Sequence, residues 1–301
     1  MKVVVTAANG FIGVGVVHQL AARGHAVTAL VRDPKKMPAT GPGVKVLAWD
    51  TSKPGDWCDA IAGSDAVVHL AGAPVGAHRW TPAFKEVLRS SRIDTTRAVV
   101  DAMASATQPI SLISGSAVGY YGDCGDRVVT ESDGPGSDFL AKLCADWESE
   151  AHKVEQIGAR LVLLRTGIVL GDGGALQKMV APFKFGVGGP LGSGKQWMPW
   201  IHLEDTASMI VWAVENSAVR GPLNVTSPNP VTMREFATTL GRVMHRPSFM
   251  PAPAFALKIM LGEFAHALLT GQRAMPEAAK SGGFVWKYPT LEAALQSIIG
   301  H

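Results

Sequence analysis

The residues with the plainest chemical meaning lie near the start of the chain, where Thr6-Ala-Ala-Asn-Gly-Phe-Ile-Gly13 separates a Val-rich run from an amphipathic segment. A glycine-rich turn between a strand and a helix lets backbone N–H groups approach a diphosphate, and the helix N-terminus meets its charge. Gly10 is the point of close backbone approach and Gly13 that of close helix–sheet packing, with Thr6, Asn9, Phe11 and Ile12 completing the cradle. About twenty residues on, where an acid would hold the ribose 2′-hydroxyl of NAD, the second apolar run ends in Arg32. An Asp there would repel a 2′-phosphate, whereas a guanidinium pairs with it bidentately, so the spacing points to NADP(H). Asp33, next door, is placed to contact the ribose.

Aromatic residues mark a second region. Trp80, Trp197 and Trp200 fall in loop contexts and are candidates for lining a pocket around a flat, weakly charged ligand. His202 precedes the acidic pair Glu204 and Asp205. It reads either as a proton donor or as a structural residue orienting the loop through a hydrogen bond to Asp205 or to backbone. Trp147 and Trp212, at helical positions, read as core, and His69 on a buried strand reads as a satisfied core histidine. Nothing near Cys144 in sequence would lower its pKa, so it is a poor nucleophile.

These groups need a scaffold, and the alternation of short apolar runs with amphipathic segments supplies one. Strands are predicted at Lys2–Thr6, Ala26–Val31, Val44–Ala48, Asp65–Leu70, Pro109–Ser114, Arg160–Arg165 and Pro222–Val225. Helices are predicted at Phe11–Arg23, Thr81–Ala104 and Phe139–Ile157. The pattern is that of an α/β, doubly wound parallel sheet of the Rossmann type. A Gly/Pro/Trp-rich stretch from Phe185 to Trp200 reads as a long substrate loop. From about Pro247 the chain is helical, which predicts a smaller, mostly helical C-terminal substrate lobe. The expected division is residues 1–171 with about 201–235 for the nucleotide-binding body, and about 172–200 with 236–301 for the lobe.

Composition narrows the function classes. Hydrophobic residues make up 47% and charged ones 18%, so disorder is excluded and a sizeable core is expected. The formal net charge of +3 without a Lys/Arg run argues against nucleic acid and against a polybasic membrane patch. Three cysteines without CxxC spacing give neither a disulfide framework nor a metal site, which suits a reducing cytoplasm.

A series of further segments is diagnostic when taken together. They are Arg79-Trp-Thr, Ser91-Arg92, the Asp138–Glu148 stretch DFLAKLCADWE, Leu164-Arg-Thr-Gly-Ile-Val-Leu-Gly171, Gly189-Pro-Leu-Gly-Ser-Gly-Lys-Gln-Trp197, Trp200-Ile-His-Leu-Glu-Asp205, Arg273-Ala-Met-Pro-Glu and Gly283-Phe. In order, they resemble the YfcH-like branch of the atypical extended short-chain dehydrogenase/reductases, in the NAD(P)-dependent epimerase/dehydratase family, over nearly the whole chain. The first turn likewise resembles that family's TGGTGFIG fingerprint, with Ala7 where its first glycine stands; a methyl group is costly there if φ is positive.

The resemblance implies further roles. Asp50 would sit at the adenine amino group, and Leu70, Ala71, Gly72 and Ser114 beside the cofactor. Ser116 matches the serine that hydrogen-bonds a substrate oxygen. The family's catalytic Tyr-x-x-x-Lys, in which Lys lowers the pKa of a proton-transferring Tyr, is absent: one register gives Phe139 and Leu143, the other Leu140 and Cys144. Tyr120 and Tyr121 are the phenols left to replace it. Where the nucleotide-sugar enzymes typically place an Arg for phosphate, Met198 stands, and a thioether cannot pair with phosphate. The leading expectation is therefore an NADP(H)-dependent oxidoreductase acting on a small carbonyl-type substrate. The alternatives are a catalytically weak or inactive NADPH-binding regulatory protein and a nucleotide-sugar epimerase. A homodimer through the two long helices is the assembly the superfamily suggests.

Overall fold

The computed structural model describes residues 1–300. Seven apolar runs form one parallel sheet: β1 (Lys2–Thr6), β2 (Ala26–Val31), β3 (Val44–Ala48), β4 (Ala66–His69), β5 (Ser111–Ala117), β6 (Leu161–Thr166) and β7 (Gly221–Val225). Their order is β7-β6-β5-β4-β1-β2-β3. Strand order therefore reverses between β1 and β4, and ligands of open α/β sheets bind at the C-terminal ends of the strands beside such a switch point.

Successive strand residues point to opposite faces, so each strand feeds two cores. Val3, Val5, Val162 and Leu164 pack with α1 (Gly13–Ala22) and α4 (Leu203–Glu215). Val4, Val67, Leu112 and Leu161 face the other way, toward α2 (Pro82–Met103) and α3 (Phe139–His152). Both faces are covered, which makes the fold a doubly wound Rossmann sheet.

Local chemistry sets the helix ends. Thr81 caps α2 by accepting from the Phe84 N–H, with Pro82 behind it, and Asp138 caps α3 by accepting from the Ala141 N–H. The helix predicted to run to Ile157 instead tightens to a 3-10 turn over Lys153–Ile157 and stops at Gly158 in the left-handed region. Sequence reading placed Trp212 at a helical position but gave α4 no bounds, and it passed over the helices Asp56–Ala62 and Met233–Val243.

A second core lies outside the sheet. Helices Gly174–Lys184, Met233–Val243 and Leu291–Ile299 bury Leu176, Phe183, Trp200, Phe236, Leu240 and Leu295 together. Not all of the C-terminal stretch joins it. Ala279, Phe284 and Trp286, expected in the lobe, pack on the sheet-side cluster against Trp212, because their aromatic surface covers the outside of α4. The chain is then pinned: the Asp205 carboxylate accepts from the backbone N–H groups of Lys287 (2.8 Å) and Tyr288 (2.9 Å), and Trp286 Nε1 donates to the Thr226 carbonyl (3.0 Å). Among the described residues no helix is long and apolar enough to cross a membrane.

The first turn carries measurable strain. Ala7 has φ +49°, a region costing a non-glycine residue about 1–2 kcal/mol. Its carbonyl accepts from Gly10 N–H (2.8 Å), and a Cβ on Gly13 would lie 2.4 Å from that same oxygen. Ala7→Gly is expected to stabilise the fold by about 0.5–1 kcal/mol in urea unfolding, the relief of strain exceeding the added unfolded-state entropy.

Candidate functional site

At the switch point the chain turns sharply and α1 begins. Its N-terminus has no side-chain cap and no acidic residue in its first turn, so its leading N–H groups are left for an anion. Phe11 leans out of the turn against Gly171 and Gly174, closing one side of the opening. Asn9 is exposed beside it, and Thr6 is buried, where its hydroxyl meets His69 Nδ1 (2.9 Å) and accepts from the Leu70 N–H (3.1 Å). Thr6 thus shapes the floor without facing the opening.

Arg32 ends β2 on the surface, with no hydrogen bond or ion pair from its side chain among the described residues. Asp33 turns away to cap the short helix Pro34–Lys36, accepting from Lys35 N–H. Asp50 lies at the end of β3 and accepts from both the backbone and the hydroxyl of Ser52 (3.0 and 2.6 Å), which lowers its pKa.

From this turn a cavity of about 870 Å³ extends toward the smaller lobe. Gly10, Phe11, Ile12, Gly13, Leu70 and Gly72 line one end. The body of the cavity is apolar and aromatic, with Trp80, Phe139, Leu140, Trp147, Trp197 and Phe264 on its walls. Trp80 is held by a hydrogen bond from Nε1 to the Val75 carbonyl (2.9 Å) and by edge contacts to Phe139. Trp197 donates to Asp126 (3.0 Å) and carries the Arg273 guanidinium on its face. Ala71 and Ser114 are buried and do not reach the cavity wall.

The expected catalytic residues are placed otherwise than their types suggested. Ser116 borders the cavity, but its hydroxyl donates to Glu148 Oε1 at 2.6 Å. A proton given to that carboxylate is not available to a substrate oxygen. Glu148 is in turn gripped by Arg165 through two 2.9 Å hydrogen bonds, and both side chains are almost fully buried. Arg165 also donates to the Tyr121 hydroxyl (3.1 Å), which donates to Asn224 Oδ1 (2.7 Å). Burial pushes the Tyr121 phenol up to about 12, only partly offset by Arg165, so it is a poor proton donor. Tyr120 lies flat on the Arg165 guanidinium at 3.6 Å, and neither tyrosine borders the cavity.

Two pocket candidates lie elsewhere. Trp200 is completely buried in the second core and donates to the Asn229 carbonyl (3.0 Å), because β-structure at Trp200–His202 turns its ring inward. His202 caps α4 by accepting from Glu204 N–H at Nδ1, with Ser297 on Nε2 and the Tyr288 ring 4.0 Å away. Burial pushes its pKa down to about 4. His69 is likewise buried, with Thr6 and Thr96 on its two nitrogens and a pKa pushed down to about 3.

Two cavity residues stood in the diagnostic segments but were given no site role by the sequence. Gln196 holds the lobe closed by donating to the carbonyls of Leu191 and Leu268, and its own carbonyl oxygen is buried without a partner. Arg92 arrives from α2. The signal for it was present: Leu88, Arg92, Thr96, Val100 and Met103 recur at helical spacing, which puts a cation on the buried stripe. No tyrosine or lysine is among the described residues on the cavity wall.

Two outcomes follow from this geometry. Glu148→Leu strands Arg165 as a lone buried charge and is expected to cost about 3–5 kcal/mol in urea unfolding, most of it recovered in the double variant with Arg165→Met. For His202, the unfolded ring takes a proton below its ordinary 6.5 while the folded ring resists until about 4. Its contribution is therefore complete above pH 6.5 and is lost as pH falls through that window, by up to about 1.4 kcal/mol per pH unit. His202→Asn keeps a helix cap but cannot titrate, so its stability, followed from pH 7 to 4, should fall less steeply than wild type.

Comparison with known proteins agrees with this architecture. A model described as the NAD dependent epimerase/dehydratase family matches residues 3–225, and a domain of unknown function, DUF1731, matches residues 252–298. The chloroplastic epimerase family protein SDR39U1 homolog of Arabidopsis thaliana is 42% identical over 99% of this chain and 87% of its own. The epimerase family protein YfhF of Bacillus subtilis is 39% identical over 99% of this chain and 98% of its own. The crystal structure of the human epimerase family protein SDR39U1 (isoform 2) with NADPH superposes with a TM-score of 0.86 at 34% identity, covering 99% of each chain.

Proposed function

The chain belongs to the NAD dependent epimerase/dehydratase family, and from that premise we propose that it is an NADP(H)-dependent oxidoreductase acting on a small carbonyl-type compound held in the apolar cavity. The observation that carries the reading is the uncapped start of α1, set behind Gly10 and Gly13, opening directly into that cavity. The cradle fits the cofactor's diphosphate: a side chain on Gly13 would collide with the Ala7 carbonyl, and a Cβ on Gly10, which borders the cavity, would lie 3.0 Å from the same oxygen. Arg32, exposed and unpaired, would hold the 2′-phosphate. The human relative whose structure contains NADPH supports the choice of phosphorylated cofactor.

When bound, the cofactor supplies or accepts a hydride. The protein's own share is to orient the substrate between aromatic walls, to exclude water from an apolar volume and to hold charge where it develops. Ser116, fixed by Glu148, presents a hydroxyl oxygen as an acceptor at the cavity edge, and a proton on the substrate oxygen would come from a water admitted at that edge. The reducing cytoplasm suits its three unpaired cysteines.

The absence of the family's Tyr and Lys from the cavity wall also favours a second reading, an NADPH-binding regulatory protein with little or no turnover, the ionisable groups there being Arg92, Asp138, Glu263, Cys144 and the His266 imidazole, 4.0 Å from Asp138. NADPH oxidation against a panel of aldehydes, ketones and enones separates the two. Turnover that changes with Leu140 or Phe139 variants supports the enzyme, and its absence across the panel with NADPH bound supports the regulator. For the cofactor, Arg32→Ala is expected to weaken NADPH roughly 10- to 100-fold by fluorescence titration while leaving NADH unchanged. Equal losses for both cofactors would reject the assignment of Arg32.

A further inference from the structure

Arg92 is the one Arg or Lys among the described residues that line the cavity. Its guanidinium has five N–H groups, of which Nη1 donates to the Leu88 carbonyl (3.0 Å) and Nη2 to the Ala73 carbonyl (3.1 Å). The remaining donors have no partner, and no carboxylate pairs with it among the described residues. Its flat face lies 5.2 Å from the centre of the Trp147 ring, and Gly72 passes so close that a Cβ there would be 3.1 Å from Cζ. The charge is therefore fixed, largely withdrawn from water and without a counter-ion. Burial accordingly lowers its pKa.

Its location is informative. The strand β4 loop at Leu70–Gly72 lies on one side of it, at the end of the cavity formed by the glycine turn. On the other side is Cys144, the residue standing at the Lys position in one register of the missing Tyr-x-x-x-Lys, whose thiol feels the Arg92 charge. A positive charge thus reaches this point from α2 rather than from α3.

We propose that Arg92 anchors a carboxylate on the ligand that fills this cavity, so that the compound acted on is a small monocarboxylic acid with a flat, apolar body. A half-buried guanidinium without an acid gains most from a planar anion it can meet with two parallel N–H groups. The apolar and aromatic walls match the rest of such a molecule. A phosphate dianion or a nucleotide diphosphate is a poorer match, because the wall carries no second Arg or Lys and its other charged groups are Asp138, with His266 4.0 Å away, and Glu263, paired with Lys85. The inference rests on the reading of this cavity as the substrate site.

The test titrates the full chain, with and without saturating NADPH, with trans-cinnamate, benzoate and hexanoate. Cinnamamide and phenyl phosphate serve as the uncharged and dianionic arms. Tryptophan fluorescence reports binding, since Trp147 lies under Arg92, and calorimetry checks it. At least one carboxylate should bind saturably, at least roughly tenfold tighter than the amide in the cinnamate pair, and Arg92→Met should weaken it on the order of 30-fold. Arg92→Lys should retain part of the affinity, and NADPH affinity should be unchanged in both variants. Failure of all three acids to saturate, equal binding of acid and amide, tighter binding of phenyl phosphate, or a parallel loss of NADPH affinity in Arg92→Met would each overturn the proposal. The acid–amide comparison is made on the wild type and so survives misfolding of a variant. Absent NADPH binding with intact carboxylate binding would reject the oxidoreductase reading alone.

Discussion

Two opposite charges buried beneath the site, Glu148 on α3 and Arg165 on β6, decide what the neighbouring polar groups can do. A desolvated ion pair is tolerable only when its remaining donors and acceptors are satisfied. Here that demand is met by Ser116, by Tyr121 and, through Tyr121, by Asn224 on β7. The pair therefore stitches β5, β6, β7 and α3 together at the C-terminal end of the sheet, and it consumes the hydroxyls that a proton-transfer site would need. Tyr120, spread over the guanidinium, belongs to the same assembly.

What remains at the cavity is a mostly apolar surface, with Arg92 toward the glycine turn and Asp138, Glu263 and His266 on the wall. Aromatic walls, glycine backbone and an isolated guanidinium give shape and charge, whereas the titratable groups beneath are locked. His69 is neutral and bonded on both nitrogens, and Cys144 is pushed up to about 12 by burial.

Much of the scaffold was legible in the sequence, because short continuous apolar runs alternating with amphipathic segments have few alternatives. The bounds of β1, β2 and β3 were read as observed, and the glycine turn and Arg32 could be located because their spacing is set by the strand–turn–helix geometry itself. Site chemistry was less legible. Ser116, Tyr121, Trp200 and His202 have side chains equally suited to a reactive surface and to a buried hydrogen bond, and only the partner decides between them. For three of them the partners, Glu148, Asn224 and Asn229, are fixed by tertiary packing that residue spacing does not encode, whereas the backbone bond from Glu204 to His202 is local and was one of the two roles read for that histidine. Arg92 is the opposite case. Its place on the apolar stripe of α2 was visible, but solvated charges are so common on helices that one out of phase is easily passed over.

The return of Ala279, Phe284 and Trp286 to the sheet face has a consequence for biosynthesis. A ribosome that has released all seven strands has not yet released the segment that covers α4 and ties down Asp205. The nascent nucleotide-binding body must therefore emerge with an apolar flank uncovered, and its completion waits on distant residues, a high-contact-order step of the kind that slows folding and invites chaperone engagement.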